Sequence, residues 1–377
     1  MIKRICIVVA SEMTVKVFLK EQIIALGEIY DVTLVVNTDC SDFAEQNGLP
    51  VKVIPLAIER EINPLADIRA LYRLNRLFCR HHFDLVHSVT PKAGLLAMLA
   101  GKLAGVRFRI HIFTGQVWVT RQGFARFLLK SMDRLLASSA THILADSFSQ
   151  RQFLVDQKIS VMEKLTVLAD GSISGVDTER FRPDMAVRSE VRGQLKLRDD
   201  DVLLLFLGRL NQDKGVLDLA EAFAAVAGRC GQLHLLLVGP DEGGLKDEVK
   251  SICAAHDERL HFIDYTDKPE SCFAAADIFC LPSYREGFGT VIIEAAACGV
   301  PAIGSRIYGI SDAISEGESG LLFPSADVDA LEAVITQLTL NAELRHAMGK
   351  SAFERVRDKF SKKRLVQAWL DYYDGLQ

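Results

Sequence analysis

Two carboxylates separated by seven residues, Glu286 and Glu294, bracket the run Ser283-Tyr284-Arg285-Glu286-Gly287-Phe288-Gly289-Thr290. Without side chains at 287 and 289, a ligand can approach the backbone closely. The free amides at the start of the apolar segment Val291 to Cys298, which reads as a helix closed by Gly299 and Pro301, suit an anion such as a phosphate. Glu286 would repel that anion, so its natural partners are hydroxyl groups. A ligand that brings phosphates and hydroxyls together is a nucleotide sugar, and Glu294, about a turn into the helix, is placed to accept hydrogen bonds from a ribose. The same residues also read as a surface turn with two solvated acids before a core helix, and spacing alone leaves both open.

Further candidates lie at other strand ends. An apolar strand, Val202 to Leu207, runs into Gly208-Arg209 and then Asn211, Asp213, Lys214 and Gly215 before an Ala-rich helix. Arg209, Lys214 and the helix dipole can converge on one anion, or the two cations can simply be solvated. In the first half of the chain, the strand Arg107 to Ile112 contains His111 and leads into Phe113-Thr114-Gly115-Gln116-Val117-Trp118, and His87 has a similar strand-end placement. A lone strand-end histidine is more often structural than catalytic.

These residues need a frame that gathers strand ends. Strands at Ile5 to Ala10, Asp31 to Val36, Val51 to Leu56, Asp84 to His87, Arg107 to Ile112 and Ser138 to Ala145 alternate with helices at Val15 to Leu26, Pro64 to His82, Leu95 to Ala104 and Arg121 to Leu136. That alternation predicts an α/β chain with a doubly wound parallel sheet, whose ligands bind at the carboxyl ends of the strands. The Gly-, Ser- and Asp-rich segment Ala169 to Asp177 reads as a linker. A second sheet follows, with strands at Val202 to Leu207, Leu233 to Val238, His261 to Ile263, Asp277 to Leu281, Val300 to Ile303 and Gly320 to Phe323. The expected domains are 1–175 and 176–361, with a last helix at Lys362 to Tyr373.

The chain has 377 residues, 49% of them hydrophobic, which is enough for two cores. Its net charge of −5 is uneven: residues 1–180 carry 22 Lys and Arg against 18 Asp and Glu. The first half therefore suits an anionic partner. Arg69, Arg73, Arg76 and Arg80 fall along one face of the Pro64 to His82 helix, and Arg121, Arg126, Lys130 and Arg134 share a helix with Phe124, Phe127, Leu128 and Met132. Either set can face an anionic membrane surface or a pyrophosphate-linked molecule, or be a solvated face. Eight cysteines without a Cys-x-x-Cys pair argue against a disulfide framework or zinc site. The short apolar run at Ile5 reads as a buried strand, and no stretch approaches a membrane span. The expectation is a cytoplasmic protein, peripheral on the inner membrane face if the basic helices dock there, without nucleic acid as partner.

The run from Asp277 through Leu281-Pro282-Ser283, Glu286-Gly287-Phe288-Gly289, Glu294-Ala295 and Gly299-Val300-Pro301 to Gly309 resembles the signature of glycosyltransferase family 4. The resemblance extends over nearly the whole chain and most specifically over Gly208 to Asp327. It implies a GT-B architecture of two Rossmann-like domains facing a cleft, with the last helix folded back on the first domain and Gly175-Val176-Asp177 at the hinge. It further implies a retaining transferase in which Arg209 and Lys214 grip the donor diphosphate. Glu286 and Glu294 belong to the donor site with Gly208, Gly287, Phe288, Gly289 and Thr290, and the backbone near Ile263 meets the base. His111 stands where the family supplies a histidine near the reacting sugar. On the acceptor side lie Met13, Thr14, Lys16 and Trp118; the Ser11 to Lys16 turn lacks the glycine pair of many members, so it either stands off the donor or serves the acceptor. The Phe113 to Trp118 run resembles the branch that extends lipid-linked bacterial glycans. The implied substrates are a UDP-sugar and a polyprenyl-pyrophosphate-linked glycan, with no cofactor and no metal. A nucleotide-sugar epimerase of similar fold, a transferase for a soluble acceptor and a silent binding subunit remain as alternatives.

Overall fold

A computed structural model describes residues 2–59 and 63–376. The chain divides into two compact units, one holding the segment up to Ser174 together with the segment from Lys363, the other Gly175–Lys362.

In the first unit a seven-stranded parallel sheet is ordered β3-β2-β1-β4-β5-β6-β7. Its strands are β1 (Arg4–Val9), β2 (Asp31–Val36), β3 (Lys52–Pro55), β4 (Leu85–Val89), β5 (Phe108–Phe113), β6 (His142–Ala145) and β7 (Leu165–Thr166). Successive side chains of β1 enter different cores, Ile5, Ile7 and Val9 on one face and Cys6 and Val8 on the other. This explains why its sequence is continuously apolar: both faces are covered. The C-terminal helix Lys362–Asp374 belongs to this unit and buries Leu365, Trp369 and Tyr373, four residues apart, against the first of these faces.

The second unit is a six-stranded parallel sheet ordered β10-β9-β8-β11-β12-β13. The strands are β8 (Val202–Leu207), β9 (Leu233–Val238), β10 (Leu260–Ile263), β11 (Ile278–Leu281), β12 (Ala302–Ser305) and β13 (Gly320–Phe323). In each unit the order of strands reverses at one place, between β1 and β4 and between β8 and β11. Doubly wound sheets bind ligands at that crevice, beyond the carboxyl ends of the strands.

Three local expectations need correction. Ser11 to Lys16 is not an open turn: Ser11 caps a helix that starts at Glu12, its hydroxyl accepting from the Thr14 amide at 3.3 Å, and a π turn at Val15–Leu19 precedes the regular helix Lys20–Gly27. Ser138 and Ser139 end the helix Gly123–Ser139, so β6 starts only at His142. A helix at Met185–Gln194, absent from the sequence reading, is capped by Asp184, and its Arg188 and Arg192 hold Asp277 at 2.6 and 2.9 Å. Asp277 also accepts from the Leu203 amide at 2.8 Å, so this residue of the signature ties β11 to β8 from beneath.

Candidate functional site

In the second unit, the turns leaving β8 and β11 are joined by charge. Lys214 Nζ pairs with Glu286 Oε1, which also accepts from the Ser283 hydroxyl at 3.0 Å. The Lys214 and Glu286 side chains are only 18% and 15% exposed. Arg285 reaches back to Asp213 at 2.8 Å, the Tyr284 amide donates to the Asp213 carbonyl at 2.9 Å, and the Tyr284 hydroxyl donates to Asp218 at 2.8 Å. Burial and then the Asp218 carboxylate push the Tyr284 phenol up to about 12. Two turns far apart in sequence thus form one rigid rim at the topological switch point.

Backbone conformation at two glycines is needed for this. Gly215 has φ +65°, and a Cβ there would lie 2.1 Å from the Pro282 carbonyl oxygen. Only glycine lets the two turns touch. Gly289 adopts φ +82° as the residue before the helix Thr290–Ala297, with no side chain capping that end. The amides of the first helical turn therefore have no capping side chain, which is the arrangement that accepts an anion.

Each expected donor residue has a definite place. Gly208 follows β8 and donates its amide to Val238 at 2.9 Å. Arg209 is half-exposed and paired with Glu242 at 2.8 Å. Ile263 ends β10, and its carbonyl is taken by the Gly239 amide at 2.8 Å. Gly287 is buried and Thr290 half-buried at the helix start. The Phe288 ring is 2% exposed and lies 5.3 Å from the Phe360 ring, so the side chain packs the core and only its backbone belongs to the turn. Glu294 has its carboxyl pushed up to about 8, first by burial and then by Glu270, with Arg180 and Lys362 opposing.

In the first unit the structure revises two candidates. His111 lies within β5, 1% exposed, bonded to the Ser88 hydroxyl at 2.9 Å and packed against Gly94, where a Cβ would come within 2.3 Å of the imidazole. Burial lowers it to about 3, leaving it neutral. As placed, it is a core residue, and β5 delivers Thr114, Gly115 and Gln116 to its carboxyl-end turn. Trp118 is also 1% exposed; its indole donates to Asp133 at 2.7 Å and stacks on Phe153. It supports the turn from inside. Asp133 is pushed up to about 6 by burial, against the pull of that indole bond.

His87 bonds the Tyr373 hydroxyl at 2.6 Å and stacks on Trp369 at 4.8 Å, so it anchors the C-terminal helix. Of the helical start after β1, Met13 is exposed, Thr14 is buried and bonded to Ser11, and Lys16 is paired with Glu12 at 2.8 Å. Across the switch point, Thr90 takes φ +75°, a strained conformation for a β-branched residue, just before the helix Pro91–Leu103. Ser283, Asp213, Asp218 and Glu242 were missed as partners. Three of the four sit inside or beside the quoted turns, but a sequence does not show which acid a given cation chooses. Among the described residues no group of three or more His, Cys, Asp or Glu could hold a metal ion. No helix of the described residues is long and apolar enough to cross a membrane.

Two parallel-sheet Rossmann-like units with switch-point turns of this kind define the GT-B class. Residues 187–355 match the family model for glycosyl transferases group 1, and residues 19–171 match the glycosyl transferase 4-like domain. The chain is 30% identical over 328 residues to a capsular polysaccharide biosynthesis glycosyltransferase, CapM, of Staphylococcus aureus, covering 87% of this chain and 85% of that one. It is 24% identical over 318 residues to an Escherichia coli UDP-Gal:alpha-D-GlcNAc-diphosphoundecaprenol alpha-1,3-galactosyltransferase, covering 83% and 81%. Its fold superposes on Anabaena HepE, solved in complex with UDP, with a TM-score of 0.78 at 18% identity over 98% and 99% of the two chains. The chain belongs to the group 1, family 4-type glycosyltransferases, and it is an enzyme of the hexosyltransferase kind.

Proposed function

We propose that the protein is a retaining transferase that moves a hexose or N-acetylhexosamine from a UDP-sugar to a polyprenyl-pyrophosphate-linked glycan in bacterial polysaccharide assembly. The observation that carries the donor half is the Lys214–Glu286 pair at the β8–β11 switch point, beside the uncapped helix start at Thr290. A cation, a carboxylate and free amides at one crevice match a molecule that carries a diphosphate next to sugar hydroxyls. The likeness to a transferase named for a diphosphoundecaprenol acceptor supports the acceptor half.

In this reading the bond between the sugar C1 and the distal phosphate oxygen breaks, and charge grows on the departing nucleoside diphosphate. Arg209, Lys214 and the helix-start amides stabilise that charge, the largest contribution available here. An acceptor hydroxyl attacks C1 from the face the phosphate leaves, and the phosphate oxygen takes its proton, so configuration is kept. Glu286 orients the sugar hydroxyls and the Lys214 ammonium; it need not act as a nucleophile. The reaction takes place at the inner face of the membrane, where the acceptor's lipid carrier resides.

A panel of nucleotide sugars with and without a lipid-linked acceptor pool, following both nucleotide release and the sugar, tests this. Acceptor-dependent release of UDP is the expected result. Altered sugar without nucleotide loss would move the assignment to an epimerase, tight nucleotide binding without turnover to a silent subunit, and transfer only to free sugars to a soluble acceptor.

A further inference from the structure

We infer that the exposed faces of two helices in the first unit, Pro64–His81 and Gly123–Ser139, form one surface that inserts into an anionic lipid bilayer. Both helices cover the same face of the sheet, with Pro91–Leu103 between them. Because each helix runs back toward the start of the next parallel strand, both begin at the carboxyl edge of the sheet.

Each helix has an ordinary buried stripe. The first helix buries Ala70, Leu74 and Phe78, and the second has no buried residue before Asp133. The face of each helix that turns away from this stripe is not purely polar. Leu65, Ile68 and Tyr72 on one helix and Phe124, Phe127 and Leu128 on the other are 39–77% exposed. Spacings of three and four put each set on one face of its helix, separate from the buried stripe. Large apolar side chains grouped this way need an apolar partner.

Charge decides which partner. Arg69, Arg73 and Arg76 interleave with the first set, and Arg121 and Arg126 flank the second; all five are exposed, and none is in an ion pair among the described residues. Exposed bulky apolar groups ringed by unpaired guanidiniums fit an acyl layer beneath anionic headgroups. A second copy of this chain would bring the same cations face to face. The inference deepens the lipid-linked reading by naming the surface that would meet the carrier's membrane, but its test needs no sugar.

The test is flotation of the full chain with phosphatidylcholine vesicles, with and without a phosphatidylglycerol fraction, comparing wild type with the double variant Phe124→Ser, Phe127→Ser and with Arg69→Gln, Arg73→Gln. Both variants alter exposed side chains, and circular dichroism with a thermal melt checks that they fold. Wild type should float with the anionic vesicles and release at high salt. Both variants should bind at least about tenfold more weakly. Equal flotation of wild type and folded variants, or no flotation of wild type, overturns the inference. So does a wild-type dimer that the serine variant converts to monomer, since the face would then be a contact between copies. Vesicle binding intact with no transfer to any lipid-linked acceptor would instead count against the proposed function alone.

Discussion

Lys214 and Glu286, 72 positions apart, close an ion pair between the turns that follow β8 and β11. In the proposed reaction Lys214 meets charge that grows as the phosphate departs. Lys214→Ala should therefore lower kcat by roughly 100- to 1,000-fold. Because Glu286 holds the ammonium, the double variant with Glu286→Gln should lose much less than the sum of the two single losses. Steady-state kinetics on the four proteins checks this, and strictly additive losses would mean that the pair does not act as a unit.

Gly215 sets how closely those turns approach. Alanine there must adopt φ +65° and place its Cβ against the Pro282 carbonyl. Gly215→Ala should destabilise the protein by about 2–4 kcal/mol. The measurement is urea unfolding, and a midpoint within error of wild type would contradict the close approach.

Glu294 gives a pH signature. Its folded pKa is raised to about 8 from an ordinary 4.5. Between these values the folded state holds a proton that the unfolded chain releases, so this residue makes stability fall as pH rises through that window. Glutamine mimics the protonated acid and removes the effect. Across pH 6 to 8, the melting temperature of wild type should therefore fall relative to Glu294→Gln; parallel curves would show that the carboxyl is ionised in the fold. The raised Asp133 and Asp146 titrate in both proteins and cancel in the comparison.

The indole of Trp118 tests its reassignment from acceptor contact to internal support. Trp118→Phe keeps an aromatic ring but leaves buried Asp133 without its donor. It should cost about 1–3 kcal/mol in urea unfolding. An unchanged unfolding midpoint with a raised KM for the acceptor would restore the contact role.

What the sequence made legible, and what it hid, follow one physical line. Strands such as Val202–Leu207 are buried on both faces and so read as continuous apolar runs. The turn from Glu286 to Thr290 was legible because glycines and acids have few reasons to sit together before a helix. His111 and Trp118 are harder to place from sequence, because both lie close to the carboxyl end of β5. Whether such a side chain faces a ligand or the core depends on sheet parity, and His111 falls on the side covered by Gly94 and Ser88. The Met185–Gln194 helix gives no apolar stripe to read, since Arg192 is its one buried residue and its place is set by Arg188 and Arg192 on Asp277. Ser11 to Lys16 reads as a turn because only the fold shows the Ser11 hydroxyl accepting from the Thr14 amide.

The most direct measurement is acceptor-dependent nucleotide release from UDP-sugars by wild type and by Lys214→Ala, with lipid-linked acceptor present and absent. If the switch-point crevice is the donor site of a transferase, wild type releases UDP only with acceptor, and the variant loses that activity by roughly 100-fold or more while staying folded. Full activity in the folded variant, or nucleotide release indifferent to acceptor, would contradict it.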